Sequence, residues 1–268
     1  MIGGILLGSA IGALITSTLT AEEMTNWGWR IPFLFGIVVG GVGIYLRFGI
    51  EETPVFKSLQ DKGEVGRAPI LEALSNYRRE ILITMGTTWA GSATFYIVFV
   101  YMPTYLSRET NIPFSTALNI NTAAMILLMV ASPFMGALSD RIGRKQVLTA
   151  GCIVIAILTY PLFLVLLEGK VAYVLGAQAI FAIALAMLFA PLGATLVELF
   201  PTRVRLSAMS LGYNIGFSLF GGTTPLVATY LIKETGSNLA PSIYLVFSAV
   251  VSMIVFLKMR ETYRDALK

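Results

Sequence analysis

Gly136-Ala137-Leu138-Ser139-Asp140-Arg141-Ile142-Gly143-Arg144-Lys145 sets four charges and two glycines between two long apolar runs. Glycine permits the tight turns other residues resist, and clustered Arg and Lys mark the cytoplasmic side of a membrane protein. The stretch therefore reads as a short cytoplasmic loop between two membrane helices.

Composition agrees with a bilayer setting. Hydrophobic residues make up 56% of the 268-residue chain and charged residues 13%, with a mean hydropathy of +0.78, too apolar for an ordinary soluble domain. The net charge of +4 does not imply nucleic acid, because the basic residues punctuate apolar runs instead of forming one basic face. The single cysteine, Cys152, lies inside an apolar run and can build neither a disulfide framework nor a metal site. With no histidine, His proton relays, His zinc sites and Ser-His-Asp triads are excluded. No cofactor is implied.

A membrane helix needs about 20 largely apolar residues. Eight charge-free runs meet or approach that length: 2–21, 31–46, 81–107, 110–139, 146–167, 171–197, 206–232 and 235–257. The second is short, but Arg47 can snorkel and let it continue to about residue 50. No basic residue precedes Glu22, so the first run reads as a retained membrane helix and not a signal peptide. With the opening stretch inside, fifteen of the nineteen Lys and Arg are cytoplasmic, leaving Arg30, Arg108, Lys170 and Lys233 outside. Both termini are then cytoplasmic, and the expected location is the cell (inner) membrane.

The longest polar segment, 51–80, contains Pro54, Gly63, Gly66 and Pro69 and is the seam of the chain. Within it Ile70, Leu71, Leu74 and Tyr77 recur near helical spacing, as in an amphipathic helix lying on the membrane face; a solvated linker is the alternative. Small residues at four-residue spacing, Gly4-Gly8-Gly12, Gly36-Gly40 and Gly212-Gly216, suit close helix packing and are given no substrate role.

The decad is similar to the G-x-L-x-D-R-x-G-R-K/R signature of the major facilitator superfamily, which stands between family helices 2 and 3 and recurs between 8 and 9. Four helices precede it here, and the polar linker lies two helices upstream, so it matches the second copy. The resemblance implies an all-α polytopic membrane fold whose eight helices correspond to family helices 5 to 12, the first four being absent. The division is then 1–50 as the last two helices of the N-terminal bundle, 51–80 as cytoplasmic linker, 81–257 as the C-terminal six-helix bundle and 258–268 as a cytoplasmic tail. Trp27-Gly28-Trp29-Arg30-Ile31-Pro32-Phe33, Glu51-Glu52-Thr53-Pro54-Val55-Phe56 and Glu198-Leu199-Phe200-Pro201-Thr202-Arg203-Val204-Arg205 resemble the metabolite:proton symporter family. Tyr101-Met102-Pro103-Thr104-Tyr105-Leu106 and Tyr213-Asn214-Ile215 look most like its proline and betaine transporters. The implied activity is proton-coupled symport of a small zwitterion or carboxylate by alternating access.

Two residue groups could carry that activity. The first is a gate: Gly136, Asp140, Arg141, Gly143, Arg144 and Lys145, with Asp140 able to pair with Arg141 or Arg144 or to face a helix N-terminus, and Glu198, Arg203 and Arg205 in the other turn of this half, able to form a second charged cluster with it. Simple topogenesis is the alternative. The second group faces a substrate. Trp89, Ser92 and Tyr96 share a helical face near mid-span with Thr88 close by; such an aromatic face can hold an ammonium group, or it is ordinary packing. Asn214 and Ser218 lie on one face with Ser210 and suit a substrate carboxylate, or they bond helix to helix.

None of the eight runs contains a carboxylate, and Glu80 and Glu198 stand only at run edges. A proton-coupling group must change its environment, so it is expected in the absent helices, which are also needed to complete the cavity. The partners implied are a small-molecule substrate, protons and the lipid bilayer. The competing reading is a truncated, transport-inactive membrane remnant or scaffold. An embedded enzyme lacks any constellation of paired carboxylates, metal ligands or activated nucleophile.

Overall fold

The structure, a computed structural model, describes residues 2–49, 57 and 69–261. Most of the expected linker and the tail beyond residue 261 lie outside the described residues. Among the described residues every regular element is helical, and the chain divides into two compact units, Met1–Val65 and Gly66–Lys268.

The first unit contains α1 (Ile2–Thr18), α2 (Ala21–Asn26) and α3 (Ile31–Gly49). Thr20 and Glu23 form a capping box at α2: the Glu23 amide donates to the Thr20 hydroxyl (3.3 Å) and the Thr20 amide to the Glu23 carboxylate (2.9 Å). These bonds, the backbone one first, hold the Glu23 carboxyl below its usual range. Arg30 lies 4.4 Å over the Trp29 ring at the start of α3. No residue of α3 is buried. An apolar helix exposed all round is a membrane helix.

Seven helices among the described residues are long and apolar enough to cross a membrane. This corrects the eight spans read from the apolar runs. The first run is helical for only 17 residues, roughly 26 Å at 1.5 Å per residue, short of a hydrocarbon core of about 30 Å.

The second unit begins with α4 (Pro69–Asn76), the short helix expected in the linker. Its Ala73 is fully buried in a cluster with Ile81, Phe200 and Ala208, while Ile70, Leu71 and Leu74 remain exposed. Six spans follow. The first joins α5 (Arg78–Phe95), a π turn (Tyr96–Tyr101) and α6 (Met102–Glu109) into one rod. Then come α7 (Phe114–Ile142), α8 (Arg144–Leu167) and α9 (Val171–Leu199). The fifth joins α10 (Arg205–Gly216), a second π turn (Phe217–Gly222) and α11 (Thr224–Thr235), and α12 (Ala240–Lys258) closes the unit.

Lipid tails are as apolar as leucine, so helices in a bilayer are held together by close packing and polar links. Both are visible here. The Ser252 hydroxyl of α12 donates to the Gly86 carbonyl (2.6 Å) and accepts from the Ala90 amide (3.0 Å), pinning α12 to α5. At the other end of the bundle, Tyr105 donates to the Asn238 carbonyl (2.7 Å) and the Asn238 amide to Glu109 (2.6 Å).

The closest approach is between α5 and the α10–π–α11 rod. A methyl group at Gly212 would stand 2.8 Å from Thr84, at Gly216 3.0 Å from the Met85 Cα, and at Gly221 2.8 Å from the Tyr96 ring. The Gly212–Gly216 step is the spacing read from the sequence. Gly221 comes five residues later and returns to the same face because the π turn inserts a residue. By contrast, Gly4, Gly8, Gly36 and Gly40 have nothing within 4 Å of that position.

Candidate functional site

At one end of the second unit the opening decad is almost wholly helical, which corrects the expected loop. α7 runs on through Asp140, Arg141 and Ile142, Gly143 alone is non-helical, and α8 starts at Arg144. Gly143 takes φ 111° and ψ 147°, a conformation that favours glycine. One residue therefore turns the chain, and the turn places Asp140 and Arg144 side by side.

Arg144 is the hub. Its Nη1 pairs with Asp140 and donates to the Ser139 hydroxyl (3.0 Å), and its Nε donates to Glu198 Oε1 on α9 (3.4 Å). The Arg144 and Glu198 side chains are each 14% exposed, the Asp140 side chain 63%. The link to Glu198 is thus the desolvated one, and charge-assisted bonds gain most where water is excluded.

Glu261, just beyond α12, completes the group. Its carboxylate accepts the backbone N–H of Arg144 (3.1 Å) and of Lys145 (3.0 Å), capping α8 where orphan amides and the helix dipole favour an anion. Lys145 answers in kind: its Nζ donates to the Leu257 (2.7 Å) and Met259 (3.1 Å) carbonyls at the end of α12. A methyl group at Gly136 would stand 4.0 Å from Ala190 of α9, an ordinary contact, so the packing there does not demand glycine, and Arg141 is exposed. The cluster ties α7, α8, α9 and the end of α12 together.

The other turn divides. Glu198 joins the decad, whereas Arg203 pairs with Glu72 of α4 (3.2 Å) and Arg205 donates to the Phe200 carbonyl (3.0 Å). Sequence reasoning did not single out Ser139 or Glu261. Glu261 follows the last apolar run directly, a place where a carboxylate can reach another helix's start, but nothing local says which one.

At mid-span the expected substrate face is split between two neighbours. Thr88 and Ser92 are fully buried against Gly216 and Gly221, and each hydroxyl donates back to its own helix, to Met85 and Trp89 carbonyls. Trp89 turns toward α12: Phe220 stacks on its ring at 4.0 Å and 8°, Phe247 meets it edge-on at 5.7 Å, and its Nε1 donates to the Tyr244 hydroxyl (3.3 Å). Tyr96 faces the other way, toward Phe217, with ring centroids 6.1 Å apart. Asn214 and Ser218 are exposed on the α10–π–α11 rod. The Asn214 amide donates to the Ser210 carbonyl (2.8 Å), and Asn214 borders an open groove of about 390 Å³ with Ser207, Leu211 and Ile70.

Both π turns have a carbonyl served from a neighbouring helix. The Asn121 amide of α7 donates to the Phe99 carbonyl (3.1 Å), and the Tyr244 hydroxyl of α12 to the Phe220 carbonyl (3.4 Å). Among the described residues, no Asp or Glu stands in the middle of any of the seven spans, and no three His, Cys, Asp or Glu side chains are grouped to hold a metal ion.

Comparison with known proteins agrees with this architecture. The Major Facilitator Superfamily profile matches residues 84–268. The chain is 32% identical along its whole length to the Proline/betaine transporter of Escherichia coli (strain K12), covering 55% of that protein. It is 33% identical over 98% of its length to the Ectoine/proline transporter ProP of Corynebacterium glutamicum, covering 56% of it. It is 31% identical along its whole length to the Glycine betaine/proline/ectoine/pipecolic acid transporter OusA of Dickeya dadantii, covering 55% of it. The chain thus spans about half the length of the curated relatives it matches. The likeness to proline and betaine transporters first read from Tyr101–Leu106 and Tyr213–Ile215 extends along the chain.

Proposed function

The chain belongs to the major facilitator superfamily and is a multi-pass membrane protein, and we propose from that premise that it serves proton-coupled symport of a small zwitterionic osmolyte of the proline or betaine class. The observation that carries the substrate class is the full-length similarity to relatives whose names specify proline, betaine and ectoine. In this reading the chain supplies family helices 5 to 12: residues 1–50 belong to the N-terminal bundle, 51–80 link the bundles, 81–257 form the C-terminal bundle and 258–268 the tail. It sits in the cell (inner) membrane with both termini cytoplasmic.

Alternating access asks for one end of the bundle that locks and a midplane that binds. The Arg144 cluster is suited to the first. A bridge with both partners 14% exposed gains from exclusion of water and weakens once water enters, so it favours the state in which the cytoplasmic end is closed. Gly136, Gly143, Asp140, Arg141 and Lys145 shape that gate, Glu198 bridges it to α9, and Arg203 and Arg205 hold the neighbouring turn. For the second role, Tyr96, Asn214 and Ser218 offer partly open surface, while Thr88, Trp89 and Ser92 set the wall behind them. The middle of the spans carries no carboxylate, so the group that takes the proton is assigned to further helices, which also complete the cavity.

The test is uptake of labelled proline, glycine betaine and 2-oxoglutarate by cells making this chain alone or joined to four preceding helices, with and without a protonophore. Uptake of proline or glycine betaine by the joined form, abolished by the protonophore, is expected. Uptake indifferent to the protonophore removes symport, and uptake by the chain alone removes the need for further helices. If neither form takes up any of the three, the second reading, a transport-inactive membrane protein, replaces this one.

A further inference from the structure

The aromatic face expected around Trp89 is closed on one side by the Phe220 ring, but a second aromatic group lies open nearby. Tyr96 and Phe217 are the first residues of the two π turns. Around Phe217 gather Tyr96 (6.1 Å), Tyr213 (5.1 Å, planes at 25°) and Phe189 (6.2 Å). All four residues are only half-buried. Tyr96 and Phe217 stand near the middle of their spans, Arg78–Glu109 and Arg205–Thr235.

Three further observations point to a ligand at this place. Among the described residues the Tyr96 and Tyr213 hydroxyls have no hydrogen-bond partner, so two polar tips are available beside the rings. The backbone carrying Tyr96 and Phe217 is irregular on both helices, and π turns concentrate at functional positions. It is also held in place, since Asn121 and Tyr244 serve the Phe99 and Phe220 carbonyls. Finally, no carboxylate is near mid-span to neutralise a cation. A cation at this depth would have to be met by ring faces, which attract ammonium groups most strongly when water is removed.

We propose that Tyr96, Tyr213, Phe217 and Phe189 form an aromatic site for the ammonium group of the substrate, selecting zwitterions with a quaternary or secondary ammonium over anions of the same shape. The site rests on the transporter reading above and names its ligand class. A net-neutral zwitterion needs no protein counter-charge: the rings take its ammonium, and hydroxyl or amide donors, with Asn214 one turn from Phe217, take its carboxylate.

The experiment is equilibrium binding of labelled glycine betaine to the purified chain, joined to four preceding helices as in the uptake test, in lipid nanodiscs, competed by unlabelled glycine betaine or by 3,3-dimethylbutanoate, which replaces the ammonium nitrogen with carbon. Glycine betaine is expected to compete at least about tenfold better than the carbon analogue. Phe217→Leu and Tyr213→Leu should each weaken binding about tenfold, while Tyr213→Phe, which keeps the ring and loses only the hydroxyl, should weaken it less. The analogue comparison uses the unsubstituted chain, so it holds even if a leucine variant fails a helicity check. Equal competition by the two compounds, leucine variants that bind like the unsubstituted chain, or no glycine betaine binding at all overturns the site. Uptake of proline or glycine betaine by the joined form, together with equal competition by the two compounds, would overturn the site while leaving the transporter reading in place.

Discussion

Arg144→Lys is the sharpest perturbation available, because lysine keeps the charge and loses the geometry. The guanidinium reaches Asp140, Ser139 and Glu198 at once, whereas an ammonium on a flexible stem can hold one of the carboxylates well and not all three groups. The Asp140 contact is open to water on the carboxylate side and contributes roughly 0–1 kcal/mol. The Glu198 bond is largely buried, and losing a hydrogen bond to a charged group costs about 1.5–3 kcal/mol. With one contact retained, the loss is about 2 kcal/mol, or roughly a 30-fold rise in the opening equilibrium of the start of α8. The chain carries its own probe. Cys152, its single cysteine, lies two turns along α8 from Arg144, is fully buried and packs with Leu148, Ala184, Leu188 and Phe256. Where reclosing outpaces reaction, maleimide labelling follows the open population. Labelling of Arg144→Lys should therefore run about 30 times faster than in the parent, with Lys170→Arg, beyond the other end of α8, as the unchanged control. A rate within twofold of the parent, with helicity intact, would refute the idea that this cluster holds α8 closed against α9 and α12.

The glycine ridge gives a contrast: Gly216→Val collides with Thr88 and the Met85 backbone and should lower the melting temperature of the purified chain markedly, whereas Gly40→Ala, with open space around it, should leave it unchanged. Asn121→Leu strips the Phe99 carbonyl of its side-chain donor and should cost about 1–3 kcal/mol in denaturant unfolding. A double-mutant cycle on Arg203 and Glu72 should give a coupling under about 1 kcal/mol, because the Arg203 side chain is 51% exposed; a larger value would mean α4 is held by that bridge and not by Ala73.

Seven of the eight spans and their order were legible from apolar run lengths, because a bilayer enforces about 20 apolar residues per crossing and charges end each run; the first run was not, because an apolar run does not say how many of its residues stay helical. The decad was legible as a turn but not as a helical one. Glycine and charge signal the end of a span, yet a helix that projects from the membrane has the same composition as a loop, and only the positive φ at Gly143 separates the two. The spacing of Trp89, Ser92 and Tyr96 was read as one face, whereas Trp89 meets Phe220 and Phe247 and Tyr96 meets Phe217. Periodicity says which residues share a side, not what covers each one, so Phe220 over Trp89 and Gly221 against Ser92 could not be foreseen. Gly221 falls off the four-residue pattern by the one residue that the π turn absorbs. Glu261 was hidden for another reason: it caps a helix that begins 117 residues earlier, and no local pattern connects them.

That separation bears on how the protein is made. A chain grows from its N-terminus at about 5–20 residues per second, so α8 emerges from the ribosome roughly 6–23 s before the carboxylate that caps it. During that interval the amides of Arg144 and Lys145 lack the acceptor they have in the finished molecule, and Lys145 lacks the carbonyls at the end of α12. This corner of the bundle can assume its final form only after α12 and Glu261 have been translated. Glu261 in this sense times the closure of that corner: until it is translated, the spans from α5 to α12 are all made while the piece that seats α8 is still missing, and Cys152 is the residue whose exposure would mark that interval.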